Sequence, residues 1–252
     1  MNIGIYQGAA ALAACEKWQQ ATAQNIASAT VPGFHRTEVS FSGVLADTMH
    51  TGAGGSRSGQ VVQGVMPKTE TKLDMQPGDL RQTGEELDFA LQGPGFFKVQ
   101  RPDGTAAYTR DGGFHVDASR TLVNRQGYKV QSSGVPLTLR PEGGRVSVNA
   151  DGTIIQGTTE IGKIAVLDFP DTGKLRATGD GLIEPSDSNV QPKPVDRPAI
   201  ITGALEGSNV KPLREMVNLI TLSRSFENAQ RLVQIGDETS DKAIQTLGNT
   251  NS

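Results

Sequence analysis

The chain has 252 residues, with Lys+Arg 24 against Asp+Glu 27, a formal charge of −3 and a pI near 5.7. That balance excludes a protein whose main work is neutralising phosphate backbones, so no nucleic-acid partner is expected. No stretch is long and apolar enough for a membrane-spanning helix, so no membrane insertion is expected. The single cysteine, Cys15, excludes an internal disulfide framework and a Cys-cluster zinc site.

Residues 1–31 contain two glycines and no proline, which predicts a helix. Leu12-Ala13-Ala14-Cys15 imitates a lipoprotein cleavage box. Residues 1–15, however, carry no Lys or Arg, and Gly4, Gln7 and Gly8 interrupt the apolar stretch, so no cleaved signal peptide is expected. Residues 1–34 hold only two charged side chains, Glu16 and Lys17. A helix on a monomer's surface normally has a charged face, so this one is expected to be enclosed by protein. Gly8, Ala9, Ala13, Ala21, Ala23 and Ala27 would let other helices come close. Pro32 cannot continue the helix and Gly33 tolerates positive φ, so the pair should turn the chain outward. Phe34 is expected to anchor that turn, and Asn25 to cap the helix end or bond across a helix interface.

Residues 35–80 read as a connector, with weak periodicity over 44–70. Thr51–Ser56 is glycine-rich but lacks a preceding strand and a phosphate-binding lysine, so it reads as linker. Between 32 and 209 lie 26 of the 30 glycines and 12 of the 13 prolines, which predicts strands and turns. Asp103-Gly104, Asp111-Gly112, Asp151-Gly152 and Asp180-Gly181 are candidate hairpin turns. Leu87, Phe89 and Leu91 alternate with small or polar residues. Val146 and Val148 do so before Asp151, and Ile154-Ile155 follow it. Ile164–Leu167 reads as a more buried strand, and Gly93 and Gly95 suggest a kink before a Phe96–Val99 strand. Short strands at this spacing predict a sandwich or barrel, giving a β domain over 81–209.

Residues 210–252 return to a helical pattern, with Pro212 suited to the first turn. Leu219, Leu222, Phe226, Ala229, Val233, Gly236, Ser240, Ala243 and Leu247 follow alternating steps of three and four, a coiled-coil-type seam. Met216, Ile220, Leu232, Ile235 and Ile244 form a second apolar set off that seam. A helix with two apolar sides needs two partners. One reading pairs the two terminal helices within a monomer. The other, favoured by the uncharged first helix and the second stripe, makes the chain a polymer subunit. The expected fold class is α+β: residues 1–34 and 210–252 form a discontinuous, coiled-coil-like assembly domain, and the β domain lies outside it. The assembly residues expected are Leu12, Trp18, Asn25, Ile26, Pro32, Gly33, Phe34, Leu219, Leu222, Phe226, Ala229, Val233, Ala243 and Leu247.

Catalytic signals are lacking. His35, His50 and His115 have no metal-ligand spacing, and there is no Gly-x-Ser-x-Gly. Glu85, Glu86 and Asp88 read as a solvated face. No enzyme activity, cofactor or metal is expected. A β module binding carbohydrate or peptidoglycan is the second class of function, resting on Tyr108 and Tyr128 as candidate exposed aromatics.

Three segments carry a family resemblance. Asn25–Phe34 (Asn-Ile-Ala-Ser-Ala-Thr-Val-Pro-Gly-Phe) resembles the N-terminal signature of flagellar rod and hook proteins. Gln92–Val99 followed by Tyr108–Phe114 resembles that family's central β motif. Leu205–Val210 leading into Glu215–Ile220 resembles its C-terminal segment. Ser28 stands where the family usually has Asn, and His35 where it usually has Lys or Arg. The resemblance implies a structural subunit of the basal-body rod, the drive shaft crossing the periplasm, which assembles with itself and other rod proteins. It also implies export through the flagellum's own secretion apparatus without a cleaved signal.

Overall fold

The computed structural model describes residues 3–45, 65–132, 135–141, 144–178, 181–187 and 189–248. Helix α1 spans Ile3–Ala27 and helix α2 spans Pro212–Gly248. The alanine-rich composition of α1 supports helix, and Pro212 opens α2 where a missing N–H costs nothing. Between the helices the described strands from Leu80 onward pair antiparallel. The chain divides into two compact units. One comprises 1–23, 39–71 and 213–252; the other comprises 24–38 and 72–212.

In the first unit α1 and α2 lie side by side and run antiparallel. Gly8 meets Val233, while Gln19 shares a groove with Leu219 and Leu222. The same unit holds most of two nine-residue strands, Thr37–Leu45 and Val65–Leu73, which pair as a two-stranded sheet. The weak periodicity of 44–70 did not reveal this sheet, and the linker read at Thr51–Ser56 lies outside the described residues. Trp18 of α1 packs edge-on against Phe41 at 5.7 Å.

The second unit is the β region. Its central strand, Phe96–Gln100, pairs with Ala106–Thr109, Lys129–Val130 and Val166–Asp168. Side chains alternate across a strand, and both faces here are covered. Phe97 and Val99 enter a core with Phe89, Phe114, Leu122, Ile154 and Ile164. Phe96 enters another with Leu73, Tyr108, Phe169 and Ile183. On the separate strand Phe89–Gln92, Ala90 is as enclosed as the Phe89 and Leu91 beside it. Gly93 and Gly95 both take positive φ just before the central strand, as the kink required.

Two Asp-Gly turns, Asp103-Gly104 and Asp151-Gly152, close hairpins with Gly in the left-handed region. Gly181 does the same between Leu175–Ala177 and Ile183–Pro185, while Asp180 lies outside the described residues. Asp111-Gly112 makes no hairpin. The backbone of Phe89 lies where a Cβ on Gly112 would sit, so this glycine serves close packing rather than a turn. The Asp111 side chain instead accepts a hydrogen bond from Gly113 N–H at 2.9 Å.

Candidate assembly interface

On α2, Leu222 and Ala229 are buried at 2% and 5% exposure, and Phe226 and Val233 are half-buried. These are seam positions, and the groove around Phe226 is lined by Ala9, Leu12, Ala13, Glu16 and Gln19 of α1. The 3-4 seam is thus covered by the chain's own first helix over this stretch. Gly8 allows the approach, since a Cβ there would crowd Val233. Leu219, at 36% exposure, marks the open end. Helix α2 runs through Ala243 and Leu247, whose side chains lie outside the described residues, as does that of Ile244.

The off-seam set behaves differently. Met216, Ile220, Leu232 and Ile235 are 48%, 57%, 63% and 59% exposed, and Leu213 and Val217 also face outward. A helix of 37 residues therefore has one apolar side covered and a second side uncovered. Burying one such side chain contributes on the order of 1.5–3 kcal/mol, so a row of them is a strong incentive to associate.

The remaining expected residues cluster in the β unit. Asn25, expected at the helix end, bonds the backbone of Thr37. Its Oδ1 accepts from Thr37 N–H and its Nδ2 donates to the Thr37 carbonyl, both at 2.9 Å. The amide thus imitates a strand edge and clasps the outgoing chain to the helix end. Ile26 and Pro32 are half-buried, and Phe34 is buried. Gly33 takes φ +65° and donates its N–H to the Glu206 carbonyl at 2.7 Å. A Cβ on Gly33 would overlap the Arg110–Asp111 peptide.

That contact brings the three motif segments together. Arg110 donates through Nη1 to Glu206 Oε2 at 3.1 Å and through Nη2 to the Gly93 carbonyl at 2.6 Å. Its guanidinium carbon lies 5.5 Å from the Phe96 ring centre. Glu206 Oε1 accepts from Gly78 N–H at 3.1 Å. Asn209 Oδ1 accepts from Arg36 N–H at 2.7 Å, and its Nδ2 donates to the carbonyls of Asp74 and Gln76 at 2.9 and 2.8 Å. Arg110, Glu206 and Asn209 all lie within the motif segments, but their roles were not legible there. The 96-residue separation of Arg110 from Glu206 hides their pairing. Burial pushes the Asp111 carboxyl up, opposed by the Gly113 hydrogen bond and the Arg125 charge. Among the described residues no group of His, Cys, Asp and Glu is arranged to hold a metal ion, and no helix is long and apolar enough to cross a membrane.

Residues 90–156 match the flagellar hook protein FlgE/F/G D1 domain, and residues 201–246 the C-terminal domain of the flagellar basal body rod FlgEFG proteins. The chain is similar to the flagellar basal-body rod protein FlgF of Rhizobium meliloti, 34% identical over 98% of this chain and 99% of that one. It is 32% identical to FlgF of Caulobacter vibrioides over the full length of both. It is 31% identical to FlgG of Buchnera aphidicola subsp. Schizaphis graminum over 88% of this chain and 90% of the other.

Proposed function

The chain belongs to the flagellar basal-body rod protein family, and from that premise we propose that it builds the rod through the terminal helices. As a member it is a structural component of the flagellar basal body. In our reading, α1 covers the seam of α2 within the subunit, and the uncovered stripe of α2 seats against neighbouring subunits of the same or another rod protein. The observation that carries this is the exposure of Met216, Ile220, Leu232 and Ile235 on a helix whose opposite side is already covered. Most of the expected assembly residues then fall into two groups, with Leu219 at the open end of the helix pair and Ile26 half-buried ahead of the turn. Leu12, Leu222, Phe226, Ala229 and Val233 hold the helix pair. Asn25, Pro32, Gly33 and Phe34 hold the turn from which the chain leaves α1, and Trp18 braces α1 against Phe41. Roles for Ala243 and Leu247 rest on the sequence spacing alone.

The test is the double substitution Ile220→Glu with Ile235→Glu. The purified chain should keep its circular dichroism and its melting, because both side chains are exposed. Incorporation into isolated basal bodies and motility should be lost, because each desolvated carboxylate costs several kcal/mol in every copy. Incorporation at wild-type level would overturn the reading.

Three finer readings go with it. The proximal part of the rod is the proposed location, supported by the FlgF relatives at 32–34% identity. The distal rod is the alternative, supported by the FlgG relative. Export through the flagellar secretion apparatus is proposed from membership of the rod family. The carbohydrate or peptidoglycan reading rested on two tyrosines, and neither is fully exposed. Tyr108 is buried against Phe169 with ring centres 4.8 Å apart, and Tyr128 packs against the core. Among the described residues of the β unit no aromatic ring is exposed.

A further inference from the structure

At the meeting point of the three motif segments sits a buried titratable group that assembly does not use. His35 follows the turn after α1. Its side chain is 2% exposed, and those of Glu206 and Arg110 are 1% and 6%. His35 Nδ1 lies 2.8 Å from the Asp74 carbonyl, which can only accept, so Nδ1 carries the proton. In the neutral ring Nε2 is then a bare lone pair. It has no hydrogen-bond partner and lies 3.7 Å from Glu206 Oε1.

Charge in this pocket is balanced without His35. Inside the pocket Arg110 and Glu206 balance each other; at its edge the partly exposed Arg36 pairs with Glu38 and, at 3.7 Å, with Asp74. A proton on Nε2 would gain an attraction to Glu206. It would also place a second cation beside Arg110, leaving the buried pocket with a net positive charge and too little water to solvate it. The pocket is tied to three stretches of chain. Gly33 bonds the Glu206 carbonyl, Gly78 bonds the Glu206 carboxylate, and Asn209 binds both Arg36 and Asp74.

We infer that His35, Glu206 and Arg110 form a proton-sensitive latch. While His35 is neutral, the latch holds the turn after α1, the Asp74–Gly78 segment and the lead-in to α2 together. When His35 takes up a proton, the hold weakens. The charged groups facing His35 are Glu206, Arg110 and Asp74, and their balance together with burial decides the direction. Burial leads, holding the imidazole below its ordinary 6.5, with Arg110 acting the same way. The Asp74 backbone hydrogen bond and the Glu206 charge oppose it. Above 6.5 neither the folded nor the unfolded chain holds the proton, and the latch contributes in full. Below it the unfolded chain takes up the proton first, so stability falls until the pH reaches the folded-state value. Through that window one proton changes the unfolding equilibrium by up to about tenfold per pH unit.

The experiment uses the full chain and His35→Asn, whose amide can still donate to the Asp74 carbonyl but does not titrate. Urea unfolding is measured from about pH 8 to about pH 5, where an imidazole titrates. In the wild type, stability relative to the variant should decline below 6.5. Parallel profiles would overturn the latch. The His35 ring resonance of the wild type is followed in parallel and should titrate below 6.5. Titration at or above 6.5 would overturn the inference even if the variant fails to fold.

Discussion

Gly33 and Gly104 both take positive φ, at +65° and +84°, yet their surroundings differ. A side chain on Gly104 would meet open space, whereas one on Gly33 would overlap the Arg110–Asp111 peptide. Gly104→Ala should therefore cost only the left-handed backbone penalty, about 1–2 kcal/mol. Gly33→Ala should cost that and the displacement of a buried backbone, at least about 3 kcal/mol in total. Urea unfolding of the two variants measures the difference, and equal costs would show that the close approach at Gly33 is not rigid. Arg110 and Glu206 teach the same lesson at the level of charge. Each is buried, and each is tolerated because the other satisfies it.

At the scale of elements, the two apolar sides of α2 should respond oppositely to mutation. Leu222 is buried on the side covered by α1, so Leu222→Asp should unpair the helices and lower the thermal stability of the helical circular dichroism signal. Near-UV signals from the aromatic core of the β unit should remain, because Leu222 belongs to the other unit. The exposed-stripe substitutions at Ile220 and Ile235 should do the reverse, sparing the helices and removing assembly. If Leu222→Asp leaves helical melting unchanged, the pairing of α1 with α2 contributes nothing in the free subunit. Local hydrogen bonds do not rescue the helix in either case. Thr221, Ser225 and Thr239 only back-bond to carbonyls four residues earlier.

Across the whole molecule, protection should be uneven. The β unit encloses Phe89, Phe96, Phe97 and Val99 at 0% exposure, whereas α2 leaves apolar patches at Leu213–Ile220 and Leu232–Ile235 in water. Ordering a helix costs about 1–2 kcal/mol of backbone entropy per residue, and a single covered stripe offsets little beyond that. Hydrogen exchange on the isolated full chain should therefore be slowest in Phe96–Gln100 and Ala106–Thr109 and much faster along α2. Equal protection in α2 would mean that the free subunit already completes the helix packing. In assembled basal bodies the difference should shrink, as neighbouring subunits cover the stripe.

Features that depend on a few adjacent residues were determined by the sequence alone. The paucity of glycine and proline at both ends marked α1 and α2. Pro32-Gly33, Asp103-Gly104 and Asp151-Gly152 marked turns, because positive φ is a local property of glycine. The second stripe of α2 was legible because helical spacing assigns residues to faces whatever covers them. What covers them was not. Only the tertiary structure decided that α1 takes the Leu222–Ala229 side and leaves the Ile220–Ile235 side open. It alone sent Asn25 to the backbone of Thr37, turned Asp111-Gly112 from a hairpin into a close packing point, and joined Arg110 to Glu206 across 96 residues. The physical reason is range. Backbone preferences act over a turn or two of chain, while a buried charge or amide finds its partner only after the register of distant strands has been set.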